Sequence, residues 1–158
     1  MEVTTENSEI KSPQPKQSDH HWSFFFLCLI FFTAVVLDQL YKHFVARPFL
    51  NFEFAFSLPV PPPLMFAIYA VVVTAMIYYI LKNHRRLTFV AKLAWVLIFA
   101  GAASNIGERI FLGYVRDFIY ISFYKWTGVY NFADGYIILG IVLLLARSAG
   151  VNDKNNKN

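Results

Sequence analysis

Between residues 22 and 146 this chain carries only fourteen charged side chains, and long stretches of that interval carry none. Over all 158 residues, 57% are hydrophobic and 15% charged. A soluble domain usually has about 25% charged residues. The charges also crowd toward the ends, with six in the first 21 residues and four in the last twelve. What remains has too little polar surface to enclose a small soluble globule, and the bilayer is the solvent it suits. The net charge is +4, but no basic stripe with interleaved aromatics accompanies it, so no nucleic-acid partner is expected. The excess fits loop asymmetry and contact with anionic lipid headgroups, making membrane lipids the expected surroundings.

Four apolar blocks organise the middle, at about 23–37, 63–81, 87–106 and 132–146. A helical span needs about 20 residues. The second and third blocks fit as they stand. The first and fourth reach that length only if their polar ends, Asp38 and Asp134, sit at a membrane boundary. The first block reads as an uncleaved helix, because a long polar stretch precedes it and no small-x-small site precedes Asp38. The expected fold is an all-α membrane protein. Four transmembrane helices occupy 22–146, between a disordered tail at 1–21 and a polar tail at 147–158. Asn51-Phe-Glu-Phe-Ala-Phe56 alternates and is followed by Pro59 and Pro61 to Pro63, which predicts a small β-like flap after the first helix.

The loop 82–86, Lys-Asn-His-Arg-Arg, is short and strongly basic. The positive-inside rule places it, and both termini, in the cytoplasm. Lys92 snorkels back to the same side. The segments 38–62 and 107–131 then face outward.

Ionisable groups at a membrane boundary are costly and point to function. On the outward side they are Asp38 with Lys42, Asn51, Asn105 with Arg109, Asp117, and Asn131 with Asp134. Asp38 and Lys42 are four residues apart and share a helical face, as an interfacial ion pair or as part of a site. Arg109 is suited to bidentate contact with a carboxylate, to snorkelling, or to pairing with Glu108. Asn131 and Asp134 have the spacing of a helix cap and its N3 acid. Brought together, Asp117 and Asp134 would share one proton, which is the chemistry of an aspartic peptidase: one carboxylate activates water and its protonated partner polarises the carbonyl. The remaining chemistries lack support. The four histidines form no metal set, no nucleophile elbow is present, and Cys28 sits within an apolar run. No metal or cofactor is expected.

These residues together resemble the bacterial lipoprotein signal peptidases, the signal peptidase II family, over about residues 34–146. Asp38-Gln39-x-x-Lys42 resembles the motif ending that family's first helix. Asn51 with Ala55-Phe56-Ser57 is similar to Asn-x-Gly-Ala-Ala-Phe, with Glu53-Phe54 in place of Gly-Ala. Gly101-Ala-Ala-Ser-Asn105-Ile-Gly-Glu-Arg109 resembles Gly-Gly-Ala-x-Gly-Asn-x-x-Asp-Arg, with Glu108 for the acid. Val115-Arg-Asp117-Phe118 and Asn131-Phe-Ala-Asp134 resemble Val-x-Asp-Phe and Asn-x-Ala-Asp.

The resemblance implies a divergent aspartic endopeptidase of the bacterial inner membrane. It would cut prolipoproteins just before a diacylglyceryl-modified cysteine. Asp117 and Asp134 would be catalytic. Asn105, Arg109, Asn131, Asn51, Asp38 and Lys42 would bind substrate or support the pair. A monomer is the expected state. The alternatives are a catalytically silent relative using the same polar cluster, or a small channel whose acids line an ion path. The topology has a direct check: single cysteines placed at positions 84 and 128 are expected to react with impermeant reagents from opposite sides of the membrane.

Overall fold

In the computed structural model the described residues are 18–54, 58–124 and 126–155. Four long helices dominate: α1 (Ser18–Phe44), α2 (Pro62–Asn83), α3 (Phe89–Phe111) and α4 (Phe132–Asn155). Each includes a stretch long and apolar enough to cross a membrane, from 18 to 23 residues. At 1.5 Å per residue, 22 residues reach about 33 Å, slightly more than the hydrocarbon core. Many of their large apolar side chains face outward, among them Phe24, Phe32, Val71, Tyr78, Leu81 and Leu145, as lipid contact requires.

The helix starts follow local chemistry. Pro62 and Pro63 open α2, where their fixed φ is already helical and their missing N–H groups cost nothing. Thr88 caps α3, its hydroxyl accepting from Ala91 N–H at 3.4 Å. The first helix carries on beyond its apolar block to Phe44, so Asp38 and Lys42 sit on one face of its final turns, as their spacing of four predicts. The fourth likewise continues past residue 146.

The core is centred on α3, which packs against both α1 and α4. Small residues let α3 and α4 approach closely. A Cβ on Gly101 would lie 2.2 Å from the Ala133 carbonyl oxygen, and one on Gly140 would lie 2.6 Å from that of Ala94. By contrast α2 contributes only Met65 to the core.

The extramembrane segments carry more β-structure than a flap. Strand β1 (Phe49–Asn51) pairs antiparallel with β2 (Val115–Asp117), Phe49 opposite Asp117 and Asn51 opposite Val115. A single bridge, Phe54 with Leu58, continues the flap. Residues 55–57, which include the Ala55-Phe56-Ser57 motif, lie outside the described residues. So do residues 1–17 of the amino-terminal tail. The second pair, β3 (Ile119–Phe123) and β4 (Trp126–Tyr130), is a hairpin closed where Phe123 faces Trp126. Tyr124 accepts φ 54° at its turn.

The glycine contacts give a stability test. Gly101→Ala should destabilise the protein by about 1–3 kcal/mol through forced separation of α3 from α4. Gly107→Ala on the same helix, where a Cβ meets nothing within 4 Å, should be neutral or stabilising. Thermal unfolding in detergent micelles compares the two.

Candidate active site

The two strands bring Asn51 and Asp117 into diagonal positions on one sheet face, and the end of β4 delivers Asn131 to the start of α4. Three rings hold this junction. Tyr41, Phe118 and Phe132 lie with centroids 4.5–5.1 Å apart, tying α1, the residue after Asp117 and the residue after Asn131.

At that junction two aspartates are held by three asparagines. Asp117 Oδ1 accepts from Asn131 Nδ2 at 2.6 Å, and its Oδ2 accepts from Asn51 Nδ2 at 2.9 Å. Asp134 Oδ1 accepts from Asn105 Nδ2 at 2.8 Å, and its Oδ2 accepts from the Asn131 backbone N–H at 3.1 Å. Asn131 Oδ1 in turn accepts from Asp134 N–H at 2.9 Å. The pair 131 and 134 is therefore a capping box, as its spacing predicted, and it also joins the two carboxyls through one residue. Every carboxyl oxygen receives one neutral N–H and keeps a lone pair free.

Asp117 is 1% exposed, whereas Asp134 is partly exposed. Burial pushes the Asp117 carboxyl above its usual range. The two asparagine N–H groups oppose that rise, the nearby charge of Asp134 adds to it, and the charge of Lys42 opposes it.

Beneath the aspartates lies a buried ionic network. Lys42 Nζ contacts Asp38 Oδ2 at 2.8 Å, Glu108 Oε2 at 2.9 Å and Asn105 Oδ1 at 2.9 Å. Asp38 also accepts from Ser104 Oγ at 2.5 Å and from the Ala133 N–H in the first turn of α4 at 3.0 Å. Glu108 binds Arg116 through Nε at 2.6 Å and through the backbone N–H at 3.1 Å. Arg116 further donates to Gln39 Oε1 and to the Lys42 carbonyl.

The structure thus links seven of the eight residues singled out in the sequence through hydrogen bonds and ion pairs, and Arg109 bonds to none of them. Arg109 pairs with neither Glu108 nor a carboxylate. Its Nη2 donates to the Glu53 carbonyl at 2.7 Å, pinning the flap, and its buried Nε has no partner among the described residues. Glu108 binds Lys42 and Arg116 instead. Sequence reasoning missed Gln39, Ser104 and Arg116 as members of the network. For Arg116 there was a signal, a lone arginine beside Asp117 in a segment with few charges. Among the described residues no cluster of three or more His, Cys, Asp or Glu side chains could hold a metal ion.

A bundle of four membrane-length helices with two neighbouring carboxyls at one end defines a multi-pass membrane protein. Residues 30–149 match the family described as Signal peptidase (SPase) II. The chain belongs to the signal peptidase II family. A lipoprotein signal peptidase of Streptococcus pyogenes serotype M1 is 32% identical over 139 residues, spanning 77% of this chain and 90% of that protein. One of Fusobacterium nucleatum is 34% identical over 89 residues, a stretch covering 56% of this chain and about half, 53%, of that protein. Among solved structures, a bacterial membrane enzyme determined by the in meso method at 2.3 Å superposes with a TM-score of 0.67 at 25% identity, covering 84% of this chain and 92% of that one. A second, at 1.9 Å, has a TM-score of 0.65 and 23% identity and shares the fold.

Removing the central cation tests the network. Lys42→Met leaves the Asp38 and Glu108 carboxylates buried without their shared partner, and a loss of about 3–5 kcal/mol of stability is expected. Chemical unfolding of the purified protein in detergent measures it.

Proposed function

We propose that this protein is an intramembrane aspartic endopeptidase. It removes signal peptides from prolipoproteins by cutting before a cysteine that carries diacylglyceryl. The observation that carries this reading is the pair Asp117 and Asp134, bridged by Asn131 and bonded only by neutral donors. The relatives named lipoprotein signal peptidases support the substrate class.

In this reading the pair holds one proton. The ionised member takes a proton from water as the water oxygen attacks the scissile carbonyl. The protonated member donates to the carbonyl oxygen, stabilising the tetrahedral intermediate. Collapse breaks the carbon–nitrogen bond, and a proton passes to the leaving amine. No covalent enzyme intermediate and no metal enter. Arg109 and the flap beyond Asn51 position the peptide, and the supporting network of Asp38 and Lys42 holds α4 against α1. The lipid-bearing end of the substrate stays in the membrane while the cut falls at its boundary. The basic loop 82–86 supports an orientation with both termini cytoplasmic and the aspartates at the outer face of the bacterial inner membrane.

Asp134→Asn keeps an oxygen for the Asn131 N–H, so the start of α4 survives. Asp117→Asn and Asp134→Asn should each fold, yet each should lose at least about 100-fold in processing of a diacylglyceryl-modified precursor in vesicles. Processing by either variant at the parent rate rules the mechanism out. The pH profile adds a second check. Because Asp117 holds its proton above the ordinary carboxylate value of 3.8, the singly protonated pair persists above that pH. The profile should be bell-shaped, with its alkaline limb displaced upward from the ordinary carboxylate range, and a rate insensitive to carboxyl titration would contradict it.

A further inference from the structure

At the end of the bundle opposite the aspartates, α1, α2 and α3 border an open apolar groove with a volume of about 460 Å³. Its walls include Phe24, Phe31, Leu81, Trp95 and Phe99, and its single charged lining residue is Lys92. Trp95 is braced by Tyr79 and Phe99, with ring centroids 5.6 and 6.5 Å away. None of these residues takes part in the site described above.

Dimensions restrict what can fill this space. The lining runs from Phe24 to Phe32 on α1 and from Lys92 to Phe99 on α3, about 10–12 Å along each helix. That is most of one leaflet, half of a hydrocarbon core about 30 Å thick. An α-helix is about 10 Å across with its side chains, so a volume of this size would take roughly one turn of it. A single extended hydrocarbon chain matches this groove in length and volume, whereas a signal-peptide helix would stand largely outside it.

Charge restricts it further. Lys92 stands near the short loop that carries Lys82, Arg85 and Arg86. The three ion pairs among the described residues all lie at the aspartate end, so these four cations are not neutralised by any described carboxylate. A positively charged leader region would be repelled there, whereas a phosphate would be attracted.

We propose that this groove binds one acyl chain of an anionic phospholipid from the leaflet bordering the basic loop, with Lys92, Arg85 and Arg86 around the headgroup phosphate. The site is independent of the peptidase reading and stands or falls without it.

Trp95 supplies the test, because bromine on an acyl chain in contact with its ring quenches its fluorescence. The full chain carrying Trp22→Phe and Trp126→Phe, with Trp95 as its one tryptophan, is reconstituted in two vesicle types. One contains brominated phosphatidylglycerol in unlabelled phosphatidylcholine, and the other has the bromine on phosphatidylcholine. The anionic lipid should quench the more strongly. Lys92→Gln should reduce that preference by about fivefold, as should Arg85→Gln with Arg86→Gln, at an unchanged unfolding temperature. Cys28→Phe, which fills the groove from α1, should weaken quenching by either lipid. Equal quenching by the two lipids overturns the proposal. So does quenching by neither, or a preference that survives loss of the three cations.

Discussion

The arrangement at the head of the bundle depends on one buried ammonium group. Lys42 is 1% exposed and has three N–H donors, and each is committed: to Asp38, to Glu108 and to the Asn105 carbonyl oxygen. An isolated charge at this depth would be expensive, but here two carboxylates and Arg116 complete a set with no net charge. Three consequences follow. Helix α1 is fixed to α3. The amide of Asn105 is turned so that its N–H faces Asp134. The ammonium has no donor left for Asp117 or Asp134. A free cation at that point would favour the ionised form of both carboxyls.

Asp38 extends the same logic to α4. Its oxygens accept from Lys42, Ser104 and the Ala133 N–H. The last is one of the unsatisfied donors of the helix start, where a negative charge is also favoured by the helix dipole. The start of α4 is thus secured by Asp38 from below and by the 131–134 capping box from within. Asp134 carries a structural duty with one oxygen and presents the other to Asn105. Capping and catalytic readings of this residue, alternatives on local sequence, are compatible in space.

The four spans, the flap and the clustering of seven of the eight polar residues were legible because membrane burial leaves a coarse and strong signal: long uncharged runs, with exceptions that need a reason. Less was legible where tertiary contact overrides local pattern. The end of α4 was read short because Arg147 looks like a boundary, although the helix continues through it. The β3–β4 hairpin was missed because Tyr124 at its turn and the residues beside it in the sequence carry none of the Asn-Gly or Asp-Gly chemistry that marks such turns. Arg116 went unread as the partner of Glu108 because the adjacent Arg109 was one of the alternatives offered, whereas β2 brings in Arg116 from eight residues on.

That pairing has a physical logic. Glu108 stands where the family pattern has the shorter aspartate, and its longer arm lets one carboxylate reach both Lys42 and the guanidinium and backbone N–H of Arg116. Binding the backbone of residue 116 fixes β2 immediately before Asp117. The guanidinium, donating also to Gln39 and to the end of α1, ties the same strand to the first helix. The asparagines then act on a carboxyl whose backbone is already held. Charged groups do the anchoring in a buried, internally neutralised layer, and among the described residues neutral amides alone donate to the oxygens of Asp117 and Asp134. This separation sets a rigid ionic frame beside two carboxyls that take part in none of its ion pairs.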